Sequence, residues 1–292
     1  MNLSHPASPW RYPILQLSSF LVLVFLIISL LTNTLGWFTP PVSVQMMLDL
    51  SSSTHSQDVK SGGSLMEAEI AAVKAYAEEN ALSPNPNNLS LAGFADLVQP
   101  ITNNFSADSE AIATALDQTI QGDTINRLGG GTNLTLAVES GINSLSTQLD
   151  RCKEMLVVTD GAANLSPTQI LRAQSNRVKL NFLIVGQTIP HNLAQAARDT
   201  GGLALSADLQ NIQSLIANRL RQKFSSNSKF VKLFLSLALI SLVWMLLFPL
   251  DRLLQTLLQI RFDHAGRIAL FNAVFWTMMA FWCLGLPAFQ RC

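Results

Sequence analysis

Three apolar stretches separated by a long polar one constrain this chain more than any other feature. From Ile14 to Leu35 the sequence, ILQLSSFLVLVFLIISLLTNTL, carries no charge. Val231 to Leu250 holds only Lys232, near its start, where the long side chain can snorkel. Ile268 to Phe289 is uncharged and carries Trp276 and Trp282. A helix of about 20 apolar residues crosses the hydrocarbon core of a bilayer, so three transmembrane helices are predicted, over 14–35, 231–250 and 268–289. Trp10 and Tyr12 precede the first and Trp37 and Phe38 follow it, as an interfacial aromatic belt would. The spans also explain why only 13% of the 292 residues are charged, where soluble domains average about 25%.

A cleaved signal peptide is the alternative for the first span, but its apolar run exceeds the usual length of roughly 7–15 residues and no small-x-small cleavage site follows. Residues 1–13 then form a short tail. In the connector 251–267, Leu253, Leu254, Leu257 and Leu258 fall at helical spacing, which predicts an amphipathic helix lying on the membrane surface; continuation of the second span past Pro249 is the rival. Charge bias is split. Arg11 before the first span, with no Lys or Arg until Lys60, puts the polar stretch outside; Arg252, Arg261 and Arg267 in the connector agree, while Arg219, Arg221, Lys223 and Lys229 oppose it. Balanced net charge gives no reason to expect a nucleic-acid partner. Cys152, Cys283 and Cys292 form no C-x-x-C pair, so neither a zinc site nor a disulfide framework is expected.

Between the first two spans, strand-like and helix-like runs alternate. Val42–Leu50 is a near-continuous apolar run, read as a buried parallel strand; Met46 and Met47 within it are read as core. Further strands are predicted at Leu89–Ala95, Leu97–Ile101, Glu154–Thr159, Leu180–Val185 and Leu203–Ser206. Helices are predicted at Glu67–Ala81, Ser109–Ile120, Leu134–Leu145, Pro167–Asn176, Asn192–Asp199 and Leu209–Lys223. This alternation predicts an α/β domain over 42–223, a doubly wound, mostly parallel sheet with helices on both faces.

Ligands of such sheets bind beyond the carboxyl ends of the strands, where the winding reverses, so residues just past each strand carry most information. Asp49 opens Asp-Leu-Ser-Ser-Ser, Gly129–Gly131 precede Thr132, and Thr159-Asp160-Gly161 ends the fourth strand. Asp49 and Asp160 supply carboxylates; Ser51, Ser53 and Thr132 supply hydroxyls. Hard oxygen donors without Cys or His suit Mg²⁺, Mn²⁺ or Ca²⁺. Five such groups leave a position open to an outside carboxylate.

D-x-S-x-S at Asp49, Ser51 and Ser53, G-G-T-x-L at Gly130–Leu134 and T-D-G at Thr159–Gly161 resemble, in order and separation, the metal-ion-dependent adhesion site of von Willebrand factor A (VWA) domains. LSLAGFAD, LNFLIVG and AARDTGGLALSA add to the likeness, which spans about residues 42–223. The resemblance implies that Ser51 and Ser53 coordinate through hydroxyls and that Thr132 joins when ligand is bound. It implies that Asp49 and Asp160 act directly or through water. It further implies a protein partner presenting Asp or Glu, and no catalysis. Among membrane-anchored bacterial relatives such as the Bat group, it implies sibling VWA proteins or a MoxR-like AAA+ ATPase as partners, at the cell membrane.

Other chemistries fit less well. An aspartyl-phosphate enzyme would want an acid where Ser51 stands, a phosphate-binding P-loop would want Lys after its glycines, and His5, His55, His191 and His264 assemble no credible Ser/His/Asp triad. A structural membrane subunit, in which a metal only stabilises the fold, is the alternative function.

Overall fold

In the computed structural model, the described residues are 13–35, 37, 39–55, 64–83, 85–121, 124–161, 164–185, 187–207, 228–257 and 262–283. The chain divides into two compact units, one from the central polar stretch and one from the apolar segments.

The central unit runs β1 (Val42–Asp49), α2 (Leu65–Ala81), β2 (Asn88–Phe94), β3 (Val98–Pro100), α3 (Ser109–Gln121), α4 (Thr124–Leu128), α5 (Leu134–Ser146), β4 (Cys152–Thr159), α6 (Pro167–Ser175), β5 (Val178–Val185), α7 (His191–Thr200) and β6 (Ala204–Ala207). The six strands lie in the order β3-β2-β1-β4-β5-β6, with only β3 antiparallel. All eight residues of β1 are buried, because helices cover both faces and alternate side chains enter different cores. Val44, Met46 and Leu48 join Ala72, Val73 and Tyr76 of α2 and Leu116 of α3. Met47 joins Val138 and Ile142 of α5, Phe182 of β5 and Leu193 of α7. The winding reverses between β1 and β4, since α2 leads to β2 over one face and α5 leads to β4 over the other.

Local chemistry sets the helix ends. Ser64 and Glu67 form a capping box on α2, each side chain accepting the other's backbone N–H. Asp108 accepts the N–H groups of Glu110 and Ala111 at the start of α3. Gly201 ends α7 in the left-handed conformation, with φ of 77°. The sequence did not anticipate α4 or the 3₁₀ turn Ser52–His55; runs of four or five residues are too short to show a periodicity. Nor did it anticipate that Cys152 is disulfide-bonded. The expected closing helix Leu209–Lys223 lies outside the described residues.

The second unit contains α1 (Pro13–Leu35), α8 (Ser228–Met245), α9 (Leu247–Leu257) and α10 (Phe262–Cys283). Two helices among the described residues, Leu15–Leu35 and Phe230–Thr256, are long and apolar enough to cross a membrane, not the three expected. The reason is helix phase: α10 spends its first turns on the polar run Phe262–Arg267, and residues 284–289 of the expected third span lie outside the described residues. The connector corrects the expectation too. The chain remains helical across Pro249, broken only at Leu246, so the start of the connector continues the second apolar run. Pro249 sits in the first turn of α9, where a missing N–H is tolerated. Leu17, Phe20, Leu23 and Leu30 of α1 and Phe271, Trp276 and Met278 of α10 are exposed. Ala265, Ala269 and Ala273 of α10 are buried, and the Trp244 indole N–H donates to Thr277 at 3.1 Å.

Candidate metal centre

Asp49 is the last residue of β1 and Asp160 the first after β4. These strands are hydrogen-bonded neighbours, with Leu48 opposite Val158, so register alone brings both carboxylates to the edge where the winding reverses. Both are buried, at 0% and 3% exposure. The Asp49 carboxylate is held from two sides: Oδ1 accepts the Ser51 backbone N–H at 3.0 Å, and Oδ2 accepts the Thr159 hydroxyl at 2.6 Å. Burial pushes the Asp49 carboxyl up, helped by the charge of Asp160; hydrogen bonds from Ser51 and Thr159 oppose that rise.

After Asp49 the chain leaves the extended conformation of β1. It winds into the 3₁₀ turn Ser52–His55, locked by the Thr54 hydroxyl, which donates to the Ser51 carbonyl at 2.8 Å. This turn sets the hydroxyls of Ser51 and Ser53 3.0 Å apart. Ser51 is buried and Ser53 exposed, so the pair runs from floor to rim.

The glycine loop is tied to this turn. The backbone N–H and hydroxyl of Ser52 both donate to the Gly130 carbonyl, at 3.1 and 2.8 Å. Asn133 donates its backbone N–H to the Ala95 carbonyl at 2.7 Å and caps α5 by accepting the Leu136 N–H. Thr132 is thereby fixed between the Gly130 and Asn133 anchors; its half-buried hydroxyl has no hydrogen bond among the described residues. Gly129 has φ of +88°, as does Gly161 after Asp160, a conformation that costs other residues more than glycine. The fold thus gathers Asp49, Ser51, Ser53, Thr132 and Asp160 along one edge of the sheet.

Two further acids were not singled out in the sequence. Asp96, just past β2, accepts the N–H groups of Gly130 and Gly131 at 3.0 and 3.1 Å and so holds the loop that carries Thr132. Its position beyond a strand end was a usable signal. Glu69 lies on α2 in the buried stripe with Ala72, Val73 and Tyr76. An acid within an otherwise apolar stripe was legible. It is completely buried, and neither carboxylate oxygen has a hydrogen-bond partner. Burial, and after it the charges of Asp49 and Asp160, hold the Glu69 carboxyl well above the usual carboxylate range.

The donors are all oxygen, and three buried acids lie within electrostatic reach of one another. A hard dication fits that chemistry. Among the described residues, no group of three or more His, Cys, Asp and Glu has the clustering of a conventional metal cage, as expected where hydroxyls make up much of the donor set.

No protein-family model matches the sequence, and no curated relative matches it either. Solved structures do resemble it. BatB, a conserved hypothetical protein from Bacteroides thetaiotaomicron, superimposes with a TM-score of 0.51 at 18% identity, over 64% of this chain and 100% of that one. The VWA domain of SpRpn10 superimposes with a TM-score of 0.50 at 11% identity, over 61% of this chain and 95% of that one. At such identities the likeness shows the fold, and the fold of the central unit is that of a VWA domain.

Proposed function

We propose that this protein is a membrane-anchored, Bat-like VWA protein that captures a protein partner through a divalent cation, Mg²⁺ before Mn²⁺ or Ca²⁺, and does not catalyse a reaction. The observation that carries the reading is the joining of three loops at one strand edge, with Asp49 pinned by Ser51 and Thr159 and the turn zipped to the Gly130 carbonyl. Such bracing preorganises donors before anything binds. Ser51, Ser53 and Thr132 offer hydroxyls, while Asp49 and Asp160 offer charge. When bound, the ion supplies a Lewis-acidic position for a partner's Asp or Glu. The partner classes that fit are sibling VWA proteins and a MoxR-like AAA+ ATPase.

Support for the anchor comes from exposure. A core helix of a soluble protein buries most of its surface, yet only 22% of the apolar window in α1 and 18% of that in Phe230–Thr256 are buried. We place the domain outside the cell membrane, the tail and connector inside. The arginines at 11, 252, 261 and 267 favour this, and a disulfide at Cys152 suits an oxidising compartment.

The test is crosslinking of the intact protein in its membranes, with and without EDTA. EDTA and Asp49→Ala should each abolish the same crosslinked product. A crosslink that survives both, alongside a lowered melting temperature of the variant, would leave the metal only a structural part and favour the alternative of a structural membrane subunit.

A further inference from the structure

We propose that Glu69 is a third carboxylate serving the cation, acting through its charge from the buried face of α2. The inference rests on the metal-site reading above and adds a residue that the adhesion-site pattern does not contain. Glu69 is set by α2, which also packs against β1 and the 3₁₀ turn. Its neighbours along the buried face are Ala72, Val73 and Tyr76, a stripe in which a methionine or leucine would fill the same space. The charges that act on it are those of Asp49 and Asp160, both of its own sign. Both of its oxygens are enclosed, and no donor satisfies them.

A side chain so placed is costly without a partner of opposite charge. Surface lysines and arginines cannot supply that charge at the buried strand edge; a dication beside Asp49 and Asp160 can. Electrostatic interaction is stronger and less screened by salt inside a protein than at its surface, so Glu69 favours the ion without touching it. The five open donors carry only two formal charges between them. Glu69 adds a third once the ion's arrival drives off the proton that burial holds on its carboxyl.

The experiment is calorimetric titration of the detergent-solubilised full chain with Mn²⁺, paired with thermal unfolding in the metal-free state. Glu69→Gln keeps shape and removes charge; it should weaken Mn²⁺ binding by tenfold or more and leave the metal-free melting temperature unchanged or higher. A purely structural role predicts the opposite split: unchanged affinity and reduced stability. Should the glutamine variant not fold, Glu69→Asp and Glu69→Asn form a second isosteric pair, and the charged member should bind Mn²⁺ about tenfold more tightly. Affinities within threefold in the pair that folds overturn the proposal for Glu69 alone. Failure of the parent chain to take up Mn²⁺ instead overturns the metal-site reading itself.

Discussion

Asp49, Asp96 and Glu69 are three acids in three different situations. Asp49 is buried but hydrogen-bonded at both oxygens; Asp96 is exposed and spends one oxygen on two glycine N–H groups; Glu69 is buried with no hydrogen-bond partner. Removing Asp96 leaves those two N–H groups to water and frees the loop before Thr132. Asp96→Ala should therefore weaken Mn²⁺ uptake roughly tenfold, while Asp96→Asn, which keeps an accepting oxygen, should lose less; calorimetry separates them. Glu69 also predicts a pH dependence. Its carboxyl is raised in the folded state and reverts to an ordinary value near 4.5 on unfolding, so the folded protein holds a proton that the unfolded chain releases. Stability from this group is complete below the ordinary value and is lost as pH rises through the folded one. Metal-free protein should show a melting-temperature advantage of Glu69→Gln over the parent that grows as pH is raised from the ordinary carboxylate range towards neutral and above. A constant difference across that range would contradict the assignment.

At the scale of elements, the site depends on two joints. β1 and β4 meet in parallel register, which is rigid because both strands are buried on both faces. The other joint is the start of α5, where Asn133 both caps the helix and ties its backbone to Ala95. Asn133→Ala removes the side-chain cap and leaves the backbone tie. It should cost about 1 kcal/mol of stability, read as a lowered denaturation midpoint, together with a smaller loss of Mn²⁺ affinity than Asp96→Ala. Further along, Gly141 lets α5 lie close to the sheet: an added Cβ would come within 2.5 Å of the Met155 methyl. The Ser144 hydroxyl donates to Gln45 of β1 at 2.8 Å. The helix that begins beside Thr132 is thus braced along its length against β1, the strand that carries Asp49.

At the scale of the whole molecule, an α/β domain interrupts a set of apolar helices, so its two ends both run toward apolar segments. In the proposed topology α1 crosses outward and the Phe230–Thr256 helix returns, which puts the connector on the inner face. A phosphatase reporter inserted at 259, which is active only outside, should be inactive, and the same reporter after Pro40 should be active. The reverse pattern would place the VWA domain in the cytoplasm.

The amino-acid sequence by itself determined the elements whose signal is periodic or continuous: the apolar runs, the five main strands, the helices from α2 to α7 except α4, and the order of the three donor loops. Those are local properties, set by side-chain spacing and turn chemistry. The tertiary structure alone decided what depends on neighbours distant in the chain. Strand order placed Asp49 against Thr159; the loop after β2 placed Asp96 under the glycines; helix packing sealed Glu69 from water. It also fixed where helices begin, giving the polar run before Ile268 to α10 and carrying the second apolar run across Pro249. Hydrophobic periodicity reports which face of an element is covered, but the charge environment of a buried acid is a sum over groups that only folding brings together.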